Sequence, residues 1–188
     1  MPAPDIVDFQ PQQTDAVVRL WRASFEHGVG VTDTHPLHEQ VEYFRSAVAP
    51  RFRVRVAVTG GEILAFMASD AESVNQLYVR VGHIGQGIGS RLLQLAQQES
   101  AGSLWLHTYA RNHRACRFYE RHGFVAVEHG FEPFRQLADV KYRWVRPAGA
   151  CGPGAGRDKG SGPWCSSEPA ATNEPTARTR ATRRPARR

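Results

Sequence analysis

Cysteine is scarce in this chain of 188 residues. The three that occur, Cys116, Cys151 and Cys165, are odd in number and show no zinc-ligand spacing, so neither a disulfide framework nor a cysteine metal site is indicated. A reducing compartment fits that usage. No run of about 18 apolar residues exists, which excludes a spanning helix. The opening MPAPDIVDFQ has neither a basic start nor an apolar stretch of signal-peptide length. A cytoplasmic protein is the expectation.

A strong charge imbalance on the folded part is also missing. The whole-chain net charge is +6, but residues 148–188 hold eight of the 24 basic residues and three of the 18 acidic ones. Residues 1–147 are left with 16 bases against 15 acids. A basic nucleic-acid face on that part is not supported. The final segment is rich in Gly, Ala, Pro, Ser, Thr and Arg, with Trp164 its single aromatic. It holds too little apolar surface to offset its ordering entropy. The expectation is a domain over 1–147 and a disordered basic tail over 148–188. Any nucleic-acid contact through TARTRATRRPARR would be electrostatic and salt-dependent.

What the chain does have is a glycine loop between a strand and a helix. Residues 77–100 read LYVRVGHIGQGIGSRLLQLAQQES. Leu77, Tyr78 and Val79 have the character of a buried strand end. Gly85, Gly87 and Gly89 follow, and Leu92, Leu93, Leu95 and Ala96 then recur at helical spacing. The first turn of a helix leaves N–H groups unpaired at the positive end of its dipole. Glycines let the backbone approach a ligand closely, so backbone amides from Gly85 through Gln86, Ile88 and Ser90 can hold phosphate. A P-loop is excluded because no Lys precedes Ser90, and the G-x-G-x-G spacing is not that of a dinucleotide fingerprint.

The rest of the chain reads in order. Ile6–Phe9 is a strand, Thr14 or Asp15 caps a first helix that Gly28 and Gly30 end, and Leu37–Val48 is a second helix with Tyr43 among its core residues. Residues 52–58 alternate, Gly60-Gly61 turns the chain, and residues 62–67 return as the second arm of a hairpin. Residues 104–109 form a further strand, and Asn112 caps a helix running to about His122. Strands at 124–127 and 139–145 follow. The order is β-α-α-β-β-β-α-β-α-β-β, an α+β domain with a mixed, mostly antiparallel sheet.

Two motifs carry a resemblance to the GNAT superfamily of N-acetyltransferases. LYV…GQGIGSRLL resembles that family's acetyl-CoA-binding segment, with Gly87 and Gly89 at the two glycine positions. Ile84 stands where the family usually has Gln or Arg, which removes a polar side chain but not the backbone amides. NHRACRFYERHGF resembles the second signature through Asn112, Ala115, Phe118, Tyr119, Gly123 and Phe124. The resemblance covers residues 6–146. It implies the GNAT fold and a direct transfer from acetyl-CoA to a primary amine of a small molecule or peptide, without a covalent enzyme intermediate. It implies that the backbone of Leu77, Tyr78 and Val79 pairs with the pantetheine arm and that Asn112 contacts it. It implies that Tyr119 is general acid to the departing thiolate, and that dimers occur.

The base is less defined. Asp70, Glu72 and Asn75 lie on the incoming strand, and Glu72 is ranked first. His83 sits in the glycine loop and His107 on the strand at 104–109. No histidine pair has a convincing metal spacing, His35 and His38 included, so no metal is expected. Acceptor choice falls to residues 26–40, which carry His27, Asp33, His35, His38 and Glu39. Two rival readings stand beside the enzyme: a fold that binds acetyl-CoA without catalysis, and a protein that acts on nucleic acid through its tail.

Overall fold

The computed structural model describes residues 3–133 and 135–147. The expected disordered tail lies outside the described residues. Strand β1 (Asp5–Asp8) leads through a 3-10 turn (Pro11–Gln13) into α1 (Thr14–Val29). Helix α2 (Leu37–Tyr43) runs on through a π-helical turn (Phe44–Val48). Strands β2 (Arg53–Thr59), β3 (Glu62–Ser69) and β4 (Val74–Val79) precede α3 (Ile88–Glu99). Strand β5 (Ser103–Tyr109), α4 (His113–Arg121), β6 (Val125–Glu132) and β7 (Leu137–Val145) complete the order read from the sequence. No described helix is long and apolar enough to cross a membrane.

The strands form two sheets, β1-β2-β3-β4 and β5-β7-β6, whose ladders are all antiparallel. Helices α1 and α2 pack Val17, Val18, Leu20, Phe44 and Val48 on one face of the first sheet. Leu92, Leu93 and Ala96 of α3 join Leu104, Leu106, Tyr142 and Trp144 in a second core on the other side. Cover on both faces explains one departure from the alternation read at 52–58. Val54, Arg55, Val56 and Ala57 are all buried, as are Ile63 to Ser69 of β3. Arg55 tolerates burial because its guanidinium donates to Asp8 Oδ1 and Glu99 Oε1, each at 2.8 Å.

Tyr43 corrects a second expectation. It is half-exposed rather than core, because the shift into the π-helical turn at Phe44 leaves Phe44 and Val48 as the buried pair. Gly28 lies inside α1, and Gly30 alone terminates it in the left-handed conformation.

Where the two sheets meet, β4 and β5 run parallel and touch at one bridge, Ser73 to Trp105. Trp105 N–H donates to Glu72 O at 2.9 Å, and Ala101 N–H donates to Ala71 O at 2.9 Å. Beyond these bonds the strands diverge. Helix α4 fills part of the wedge, and its ends are fixed locally. Asn112 Oδ1 accepts from Ala115 N–H at 3.1 Å, the cap read from the sequence. At the other end Gly123 adopts φ 82°, its N–H donates to Glu120 O, and Phe124 N–H donates to Tyr119 O. This Schellman pattern comes with the expected apolar contact, the Tyr119 and Phe124 rings being 5.8 Å apart.

Gly123→Ala puts a Cβ into left-handed backbone 3.4 Å from Trp144 Cδ1. The expected cost is about 1–2 kcal/mol in urea unfolding, and an unchanged midpoint would contradict this account of the α4 stop.

Candidate active site

The divergence of β4 and β5 opens a cavity of about 1070 Å³. It is lined by Leu77, Tyr78 and Val79 of β4, by Gly85, Gly87, Gly89 and Ser90 of the loop and α3, and by Asn112, Phe118 and Tyr119 of the α4 region. Among the described residues the edge of β4 that turns away from β3 has no strand partner beyond Ser73, so its main-chain polar groups border this space. Ser24 Oγ donates to Val79 O at 2.9 Å and ties α1 to the open end of the strand.

The anion seat has the geometry expected of the loop. Gly85 and Gly87 have φ of 91° and 81°, and Gly87 is the N-cap of the 12-residue α3. The first-turn amides of α3 and its dipole face the cavity end of the loop. Arg111, Arg114 and Arg121 also line the cavity, with Arg114 Nη2 3.4 Å from where a Gly85 Cβ would lie. Arg111 and Arg114 flank Asn112 in the run R-N-H-R, and Arg121 is the last residue of α4.

A phosphate-bearing thioester carrier fits these residues on two observations. His83 Nδ1 is buried in the loop without a hydrogen-bond partner among the described residues. Arg114 Nη2 stands 3.4 Å from where a Gly85 Cβ would lie, so a guanidinium borders the glycine loop. Both put nitrogen groups able to meet an anion beside the start of α3.

Tyr119 sits at the narrow part of the wedge, 7% exposed, with its ring against Phe118, Phe124 and Tyr142. Burial pushes its phenol well above the ordinary range, with Tyr78 and Cys116 adding to the rise. Burial also pushes the Tyr78 phenol up to about 12, against a lowering by its hydrogen bond with Trp21. Both hydroxyls therefore keep their protons throughout the neutral range.

The far end of the cavity is lined by Trp21, Tyr43 and Tyr78, by Phe25, Asp33 and His35, by Glu39, and by Tyr109 and Arg135. Trp21 packs at 6.3 Å from Tyr43 and 6.2 Å from Tyr78. The Arg135 guanidinium lies over the Phe25 ring at 5.0 Å and donates to Asp33 Oδ2 at 3.1 Å. Burial raises the Asp33 pKa, but hydrogen bonds from His35 and the nearby Arg135 outweigh it, and the net shift is downward. Arg135 carried no signal in the sequence, since it reaches this end from the β6–β7 turn, about 100 residues after Asp33.

Of the residues named from the sequence, Leu77, Tyr78, Val79, Gly85, Gly87, Gly89, Ser90, Asn112 and Tyr119 converge on this one cavity. Gln86 and Ile88 do not line it. The Gln86 amide turns back to Gly82 O at 3.2 Å and Ile88 is buried in the core, so only their main-chain N–H groups are left to serve the seat. Glu72 is corrected. It is exposed and lies outside the cavity, in the turn at the closed end of the wedge. Asp70 Oδ1 accepts from Glu72 N–H, Ser73 N–H and Ser73 Oγ, which makes 70–73 the clasp that starts β4.

The cavity thus has a split sheet, a glycine loop leading into α3 and a buried tyrosine on its walls. The profile of the acetyltransferase (GNAT) domain matches residues 50–126. The peptidyl-lysine N-acetyltransferase YiaC of Escherichia coli (strain K12) is 24% identical over 140 residues, covering 74% of this chain and 95% of that protein. Apo YjaB from Escherichia coli superposes with a TM-score of 0.64 at 19% identity, over 78% of this chain and 99% of the other. The acetyltransferase yncA from Salmonella typhimurium, solved with acetyl-CoA, superposes at 0.59 and 15% identity, over 80% and 98%. Residues 50–126 match the GNAT acetyltransferase domain, and the fold is that of these acetyltransferase structures.

The buried phenols set an alkaline limit on stability. Tyr78, Tyr109, Tyr119 and Tyr142 all have raised pKa values in the fold. The unfolded chain ionises first, near the ordinary tyrosine value of about 10, so stability falls as pH rises past that point. Urea midpoints should be level from neutral pH to about 9 and drop above about 10. A Tyr119→Phe chain should show a shallower drop, read by the same titration.

Proposed function

We propose that this protein moves the acetyl group of acetyl-CoA directly to the primary amine of a small molecule or peptide, with Tyr119 as general acid. The observation that supports the reading is a single cavity that joins the α3 anion seat, the open edge of β4 and the Tyr119 hydroxyl. Bound acetyl-CoA supplies an activated acetyl thioester. Main-chain N–H groups of Gly85, Gln86, Gly87, Ile88, Gly89 and Ser90, with Arg114 beside them, hold its pyrophosphate. The main chain of Leu77, Tyr78 and Val79 pairs with the pantetheine amides as an added strand would. Asn112 reaches the same arm while capping α4. A β4 N–H directed at the thioester oxygen stabilises negative charge there as the carbonyl is attacked.

The Tyr119 hydroxyl donates to the departing sulfur. A thiol has a pKa of about 8.5, below that of the buried phenol, so Tyr119 meets the charge on sulfur as a hydrogen-bond donor, and transfer is completed as the phenolate takes a proton back from solvent. The far end of the cavity suits an ammonium group. Trp21, Tyr43 and Tyr78 give an aromatic wall, and Glu39 lies beside it. YiaC acts on peptidyl lysine by its name, and a lysine side chain has the length and charge for such a wall.

Release of free CoA should be measured with spermidine, kanamycin, free lysine and an N-blocked lysine peptide. Turnover above background with at least one of them is expected. Tyr119→Phe should lower kcat by about 10²–10⁴-fold and leave the acetyl-CoA affinity measured by calorimetry intact. Full turnover in that variant would exclude the general-acid role, and retained affinity with no turnover in the wild type would favour a binding protein.

The same reading takes residues 1–147 as the complete catalytic domain and 148–188 as an appendage. A chain ending at Pro147 should fold and keep kcat. DNA retention by the full chain, compared at low and high salt, shows whether the tail binds polyanions. An unfolded or inactive truncation would move the boundary.

A further inference from the structure

The acetyl-transfer reading leaves one proton unaccounted for. A primary amine near neutral pH is an ammonium, with a pKa of about 10.4 for lysine, and it must lose a proton before it can attack. With Glu72 outside the cavity, the acceptor end offers another group. We propose that His35 is the general base that takes this proton, a role that rests on the acetyl-transfer reading above.

His35 is built into the wall of the cavity by the loop between α1 and α2. Arg22, on α1, donates through Nη2 to Asp33 O at 2.9 Å and to His35 O. One turn further along α1, Glu26 Oε1 accepts from Asp33 N–H at 3.0 Å. These bonds clamp residues 33–35 to the helix. Asp33 then holds the His35 ring, with Nδ1 and Oδ1 2.7 Å apart, and the same oxygen accepts from His35 N–H at 3.1 Å.

The direction of these bonds fixes the chemistry. The Asp33 side chain is 3% exposed and is kept ionised by His35 and Arg135, so it can only accept. The proton of the neutral imidazole is thus on Nδ1, and its basic lone pair is on Nε2. About a third of the His35 side chain is exposed, and the residue lines the same cavity as Trp21, Tyr43 and Glu39. A histidine oriented by a buried carboxylate at the place where an ammonium arrives is a proton acceptor held in one tautomer.

Protons balance through the two groups. The ammonium gives its first proton to His35 Nε2, which passes it to solvent. The freed nitrogen forms a bond to the acetyl carbon as the C–S bond breaks, and nitrogen gives its second proton to His35 Nε2, which is neutral again by then and releases it to solvent. Sulfur takes one proton from Tyr119, and the phenolate recovers one from solvent. The net products are the amide, the free thiol and one released proton.

His107 is the competing histidine. It also lines the cavity, and its Nδ1 is 3.1 Å from Asp139 Oδ2, but it is more exposed and so is its carboxylate. The test uses the full chain and the four amines named above. His35→Ala should fold as judged by circular dichroism and bind acetyl-CoA with unchanged affinity by calorimetry. Its kcat should fall at least about 100-fold, and added imidazole should restore it with saturation. If that variant does not fold, His35→Asn keeps an N–H for Asp33 and should show the same loss. Wild-type turnover in His35→Ala or His35→Asn, or imidazole rescue of His107→Ala but not of His35→Ala, would overturn the assignment. A wild-type protein silent with all four amines would overturn the acetyl-transfer reading and this one with it.

Discussion

The site exists because two neighbouring parallel strands stop pairing after one bridge. Ser73 and Trp105 hold β4 and β5 together, and everything beyond them is a wedge. An unpaired strand edge inside a protein costs free energy unless its polar groups meet a partner or solvent. Here the edge faces a cavity, so its hydrogen bonds are available to a ligand. The clasp at Asp70–Ser73 matters for the same reason. It closes one end firmly enough that the other can stay open.

Two helices then bring their ends to the opening, and each does so by local backbone chemistry. The start of α3 is free to face an anion because Gly85 and Gly87 carry the chain into it through left-handed conformations. The stop of α4 at Gly123 fixes the turn that carries Tyr119, and Phe124 anchors that turn in the core. A hydrogen-bond donor and a phosphate seat are thus set at a fixed separation by elements that share a core with β5 and β7.

Buried charge is the third device. Arg55 ties β2 to Asp8 at the end of β1 and to Glu99 at the end of α3. Asp33 joins the α1–α2 loop to the β6–β7 turn through Arg135. In both places a desolvated ion is offset by paired, well-aligned hydrogen bonds. The first fastens the scaffold. The second shapes the acceptor end of the cavity, where a misplaced ångström would separate an amine from its target.

Much of this was legible in the chain itself. The element order, the glycine loop before α3, the Asn112 cap and the Gly123 stop all follow from local propensity, which acts within a few residues and leaves its mark there. Leu77 to Val79 and Tyr119 were singled out by the family resemblance of their motifs, not by local propensity. What sequence alone could not decide was which polar groups meet. Glu72 could be named as a base from its residue type, but its place in the turn at the closed end of the wedge, outside the cavity, could not be read, nor could the Arg22–Glu26 clamp on residues 33–35. Arg135 comes to Asp33 across about a hundred residues, and Tyr43 leaves the core through a one-residue shift in helix winding. Pairings of that kind depend on how separate elements pack, so only the tertiary structure decides them.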